Sequence, residues 1–229
     1  MAAPPPLSFE PEGNTSIREQ IKLDLIQKYK EILKTHLEGR VLKDDKIKSW
    51  LNNILIDAKE YFIKKYPSYD LFLFTHICPN AMSYRSNANG IIAIETDAHD
   101  VAIYKNDDFY SILRFVFFKH YNLDYNIDQY EDEIIQKGEE ILKKYLEDRK
   151  FIVENADKNN LTINDECMNF ILDKEKYIRV FTINKIYKKP INDKYYFKYL
   201  CHGKDVFSKI IQTYENDNLA CVHFTFFFK

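Results

Sequence analysis

The apolar positions change period in a fixed order, and the order occurs twice. Ser16-Ile17-Arg18-Glu19 has the form of a capping box, in which a Ser side chain and a Glu three residues on satisfy each other's backbone donors. It opens a helix predicted to about Leu37, with Ile26, Tyr29, Leu33 and Leu37 on one face and Gly39 as its stop. Asp44 or Asp45 can cap a second helix. Its apolar positions are Ile47, Trp50, Leu51, Ile54, Leu55, Ala58, Tyr61 and Phe62, in steps of three and four, and it must end before Pro67.

Four strand-like runs follow, near Leu71–Cys78, Gly90–Thr96, Val101–Tyr104 and Phe109–Lys119. The turns between them are read at Pro79-Asn80 with Asn87–Gly90, at Asp97–Asp100, and at Asn106-Asp107-Asp108. The second half predicts a helix from about Asp128 to Arg149, a polar stretch Glu154–Asn160, and a shorter helix through Ile163, Cys167, Phe170 and Ile171. Strands are predicted near Tyr177–Tyr187, Lys194–His202, Lys209–Tyr214 and Leu219–Lys229.

Direct comparison of the halves supports an internal duplication. IQKYKEILKTHLEGR (26–40) matches IQKGEEILKKYLEDR (135–149) at ten of fifteen positions, at an offset of 109. YKNDDFYSILRFVFFK (104–119) matches YENDNLACVHFTFFFK (214–229) at six of sixteen, at an offset of 110. The competing explanation is a convergent bias toward Lys and Phe; two blocks in the same order at nearly the same offset argue for duplication over it. Phe74-Thr75 and Phe181-Thr182 link the first strands by identity, and Trp50 has no counterpart.

Composition narrows the classes. The 229 residues include 17 Tyr and 17 Phe, enough to build a sizeable core. A net charge of -2 implies no broad basic surface, which argues against nucleic acid and anionic membrane as partners. Five scattered glycines exclude the usual Gly-rich phosphate loops. Four cysteines without CxxC spacing, and no long apolar run, read as an intracellular chain with reduced thiols. Four of the seven prolines fall in residues 1–14, which read as an extended or disordered tail.

The expected fold is α+β: two tandem units, 15–120 and 121–229, each of two helices followed by a four-stranded antiparallel sheet. Leu71–Phe74 and Phe224–Phe228 show almost no alternation, so both faces of these strands need cover. The sister sheet is the simplest cover, which makes the chain an intramolecular pseudo-dimer.

This order resembles the Tctex-type dynein light chain family. The sequence likeness lies in Lys46-Ile47-Lys48-Ser49-Trp50-Leu51-Asn52-Asn53-Ile54, similar to the family's second helix, and in the apolar strands with their closing Phe-rich strand. Leu51 stands where the family usually has Thr, and the second unit lacks the Trp. The resemblance implies a non-catalytic adaptor without cofactor or metal. It would hold an extended segment of a dynein intermediate chain, another dynein subunit or another light chain in a large cytoplasmic, cytoskeletal, ciliary or axonemal assembly. Strand addition at a free sheet edge is the expected mode. The third strands are the expected edges: Val101, Ala102, Ile103 and Tyr104, and Lys209, Ile210, Ile211, Gln212, Thr213 and Tyr214.

Other chemistry is weighed beside this. His76 with Cys78, and Cys221 with His223, each share a strand face and would offer zinc ligands if the strands adjoined; packed core residues are the plainer reading. Cys201-His202 point to opposite faces, which weakens a thiol–imidazole pair. Asp97, His99 and Asp100 could do acid–base work, or form a solvated turn. His36 aligns with Tyr145, two amphipathic rings at one position, which favours packing. A small α+β enzyme using Asp97 and His99, and a structural axonemal or microtubule-associated protein, remain as alternatives.

Overall fold

The computed structural model of the chain describes residues 16–42, 44–80, 84–91, 98–119, 126–175, 178–189, 196–203 and 207–228, with backbone only at 44–45, 84–91 and 207. Residues 1–15 and Asp97 lie outside them. The elements are α1 (Ile17–Leu37), α2 (Asp44–Lys65), β1 (Tyr69–Pro79), β2 (Tyr84–Ile91), β3 (Ala98–Lys105) and β4 (Phe109–Lys119). Then come α3 (Glu131–Leu146), α4 (Val153–Lys174), β5 (Arg179–Lys188), β6 (Tyr196–His202), β7 (Phe207–Glu215) and β8 (Leu219–Phe228).

Local chemistry sets the helix ends. The Ser16 hydroxyl accepts from the Glu19 backbone N–H at 3.3 Å, one of the two bonds of the expected capping box, while the Glu19 carboxylate meets Lys22 and Arg18. α1 stops at Gly39, whose φ of 68° is the left-handed conformation that favours glycine. α3 stops in the same way at Asp148, φ 56°. α2 and α4 are both 22 residues long and lie 109 residues apart. The expected polar stretch Glu154–Asn160 is therefore helix. Its apolar stripe is interrupted by asparagines, so periodicity alone did not show it.

The strands form two four-stranded antiparallel sheets, in the orders β3-β4-β1-β6 and β2-β5-β8-β7. This corrects the expectation that each half keeps its own four strands. β2 pairs with β5 over Tyr84–Ile91, and β6 pairs with β1 over Tyr196–His202. The second strands have changed places, so each sheet is completed by the other half of the chain. β2 also lies earlier than expected: Asn87–Gly90, read as a turn, sit inside it. Ladder pairing with β5 overrides the weak strand propensity of Asn and Gly.

Equivalent residues make equivalent bonds. Asn106 Oδ1 accepts from Asp108 N and Phe109 N at 3.0 and 2.9 Å; Asn216 Oδ1 accepts from Asn218 N and Leu219 N at 2.8 and 2.9 Å. Asn80 N donates to Asp108 O, and Lys189 N to Asn218 O, each at 3.0 Å. That register sets Phe72 against Phe181 and Thr75 against Asn184, so the Phe-Thr identity is not a structural equivalence. His36 meets Asp57 at 2.7 Å, and its counterpart Tyr145 donates to Glu166, the counterpart of Asp57. Lys65 pairs with Asp24 as Lys174 pairs with Glu133.

The lack of alternation in the strands has a simple cause. Leu71, Leu73 and Ile77 pack under α1 and α2, while Phe72 and Phe74 face the other sheet. Phe72 meets Phe226 with ring centroids 4.6 Å apart and Phe181 at 5.9 Å; Phe118 meets Phe228 at 5.3 Å. The aromatic content is spent on this inter-sheet layer. Trp50 is buried against Phe109, centroids 6.4 Å apart.

Candidate partner-binding edges

β3 ends one sheet and β7 ends the other. Within them, side chains alternate between two environments. Ala102, Ile210 and Gln212 are buried on the helix side, so three of the ten expected contact residues present only backbone. Gln212 Nε2 donates to the Ile135 carbonyl of α3 at 2.6 Å. Val101, Tyr104 and Tyr214 are half-buried. Ile103 is 52% exposed and Ile211 46%, with Lys209 and Thr213 also exposed.

The exchange creates further edges that sequence reasoning missed. Among the described residues β6 has a single ladder neighbour, β1. Its Phe197 is 43% exposed, and Lys198 Nζ donates to Asn52 Oδ1 of α2 at 2.6 Å. Lys209 of β7 donates to the Tyr199 hydroxyl of β6 and lies 4.9 Å from that ring's centroid. Two sheet edges, β6 and β7, therefore meet at one side of the sandwich. No pattern within β6 announces this; it follows from which strand β6 pairs with. β2 ends the second sheet beside β5.

Free edges expose unpaired main-chain donors and acceptors, the groups an extended chain can pair with. Apolar side chains at their rims supply pockets for alternate partner residues. No known family model matches the chain, and no curated protein does either.

The other candidate chemistry is dispersed. His76 and Cys78 face the inter-sheet layer, where Cys78 packs with Tyr187. Cys221 faces the helices, its thiol donating to Asn184 Oδ1 at 3.0 Å. The two His-Cys pairs thus lie on opposite faces of different sheets. Among the described residues no group of three or more His, Cys, Asp and Glu could hold a metal ion. Cys201 is exposed and His202 half-buried on the other strand face. The His99 ring lies tilted against Phe181, centroids 5.8 Å apart, and burial lowers the pKa of its imidazole. Asp100 instead meets Lys22 at 3.4 Å on the α1 side. No described helix is long and apolar enough to cross a membrane.

A cationic group lies in the inter-sheet layer. Lys185 Nζ sits 4.6, 5.4 and 5.9 Å from the ring centroids of Phe74, Phe197 and Phe224. Burial pushes its amine down to about 7, and Arg114 nearby adds repulsion.

Proposed function

We propose that the chain is a light-chain-type adaptor built as an intramolecular pseudo-dimer. Two diverged copies of one Tctex-like module, 15–120 and 121–229, exchange their second strands and hold an extended segment of a dynein intermediate chain, or of another dynein subunit, by strand addition. The observation that carries this reading is the set of sheet-end strands β3, β6 and β7, rimmed by exposed Ile103, Phe197 and Ile211.

Self-complementary contacts support the duplication. In a two-fold interface a residue can meet its own copy. Phe72 and Phe181 meet in this way, Cys78 and Tyr187 pack together, and Lys185 lies near enough to His76 to add to the burial that keeps its imidazole neutral. Fusion removes the concentration dependence of pairing, and divergence gives two unlike sets of edges. Such a molecule suits one asymmetric position in a cytoskeletal, ciliary or axonemal motor complex.

The test is fluorescence anisotropy with labelled peptides tiling a dynein intermediate chain. At least one peptide binds, and N-methylating its alternate backbone amides abolishes binding. Ile103→Glu, Phe197→Glu or Ile211→Glu weakens it roughly tenfold or more, while His99→Gln leaves it unchanged. A native pull-down that returns tubulin without dynein chains, together with no peptide binding, would overturn the reading.

A further inference from the structure

The cover over the Lys185 amine is uneven. Lys185 is 2% exposed, and its three rings come from three strands. Phe74 of β1 and Phe224 of β8 are buried in the middle of their sheets. Phe197 is 43% exposed and belongs to β6, an end strand among the described residues. It stacks on Phe74, centroids 5.8 Å apart and planes 11° from parallel, and meets Phe224 edge-on at 5.2 Å. Of the three rings, only that of Phe197 reaches solvent.

Phe197 is also the second residue of its strand. Described β6 has one ladder, to β1, which sets Phe197 opposite His76. On the helix side, Tyr196 and Leu200 rest against the first core and Lys198 donates to Asn52. Moving the start of β6 uncovers the amine while the β1, β5 and β8 ladders stay intact.

The groups that face the amine supply no counter-charge. β1 brings His76 and Cys78, β4 brings Tyr110 and Arg114, and β5 itself brings Tyr187. β6 adds Tyr199 and Cys201 on the face of Phe197. β8 adds Val222 and Phe224, and β2 sets Ser86 opposite Lys185. Asp70 and Arg179 share these faces at the far end of the layer, beside Phe118. Burial disfavours the charged amine, and the Arg114 guanidinium adds to this. A proton therefore binds Lys185 better once the amine reaches water.

We propose that Phe197 and the start of β6 form a proton-driven gate over Lys185, closed on the neutral amine and opening as the amine is protonated. The gate rests on this geometry; its use as a switch for partner binding at β6 rests on the adaptor reading.

Linkage gives the sign and the size. The amine titrates at its ordinary 10.5 when open and at about 7 when closed. Between these values the open state holds more protons, so opening is favoured as pH falls. From pH 8.5 to pH 7 the open fraction should rise about fifteenfold. The ordinary values of His76 and Cys78, 6.5 and 9.0, lie outside that window.

The experiment is amide hydrogen exchange of the full native chain at pH 7 and pH 8.5, each rate divided by that of unstructured chain at the same pH. No partner is added, so the outcome is independent of the adaptor reading. The protected amides of β6 should open about fifteenfold more at pH 7. Low urea should leave that opening unchanged, because a local step exposes little surface. In Lys185→Met the two pH values should agree within about twofold. Phe197→Ala gives the amine water without movement of β6, so the pH dependence should be lost there as well. A native β6 that opens equally at both pH values overturns the proposal. So does a pH dependence that survives in Lys185→Met, or an opening of β6 that is urea-sensitive and shared with β1 and β8.

Discussion

Replacing Lys185 by Met tests the energetics of the inter-sheet layer. The amine titrates at 10.5 in the unfolded chain and at about 7 in the folded one. At about 1.4 kcal/mol per pH unit, that gap corresponds to about 5 kcal/mol of cost for keeping the charge inside. The rings of Phe74, Phe197 and Phe224 surround the amine, and a folded value of about 7 is already net of any attraction they offer. Lys185→Met, which keeps an unbranched chain of similar length, should therefore stabilise the protein by a few kcal/mol near pH 7.

The pH dependence gives the sharper readout. Between about 7 and 10.5 the unfolded amine holds a proton that the folded amine has lost. The unfolded state binds more protons there, so stability rises with pH across that window. From about pH 7 to about pH 8.5 the native chain should gain about 1–2 kcal/mol through this residue, and the Met variant should not. Urea denaturation of both proteins at the two pH values measures the difference, which cancels other titrating groups. A Met variant that is less stable than the native chain, or that keeps the native pH slope, would refute the reasoning.

Acid should weaken the fold by a related route. Burial lowers the folded pKa of His76, His99 and His223, the last to about 4. Their contribution is present above the unfolded value of 6.5 and is lost as pH falls, with about 3 kcal/mol of that from His223. Denaturation of His223→Leu, which carries the first half's residue, should show a flatter acid limb. The turn asparagines give a paired test. Asn106→Ala and Asn216→Ala each remove an acceptor for two backbone N–H groups and should cost about 1–2 kcal/mol. Asn216 should cost more, because its Nδ2 reaches the Leu146 carbonyl at 2.9 Å whereas that of Asn106 reaches Arg40 at 3.5 Å. Thermal unfolding of the two variants ranks them.

The pattern of residues specified what is local. Ser16 and Gly39 bounded α1, the steps of three and four traced α2, and the Asn-Asp turns fixed two hairpins, because capping, periodicity and turn chemistry act over a few residues. The non-alternating Phe runs required cover on both strand faces, and the structure supplies helices on one and a second sheet on the other. The two 109-residue intervals were legible in α1 and α3, where ten of fifteen residues match. They were hidden in α4, where Asn160 and Asn164 replace Leu51 and Leu55 and erase the stripe. The buried polar layer they form with Thr182, Asn184, His223 and Thr225 could have been found by carrying the same offset through α4 and β8.

Only the tertiary structure decided where the second strands go. A strand's hydrogen-bonding edge is the same for either sheet, so nothing within Tyr84–Ile91 or Tyr196–His202 names its partner. The choice depends on which helix and which facing sheet then cover it. That choice put β6 and β7 side by side as the end strands of their sheets among the described residues, brought Lys185 beneath three phenylalanines, and closed a polar layer under α4. Each of these depends on residues far apart in the chain meeting at one place, and short-range pattern carries no term for that.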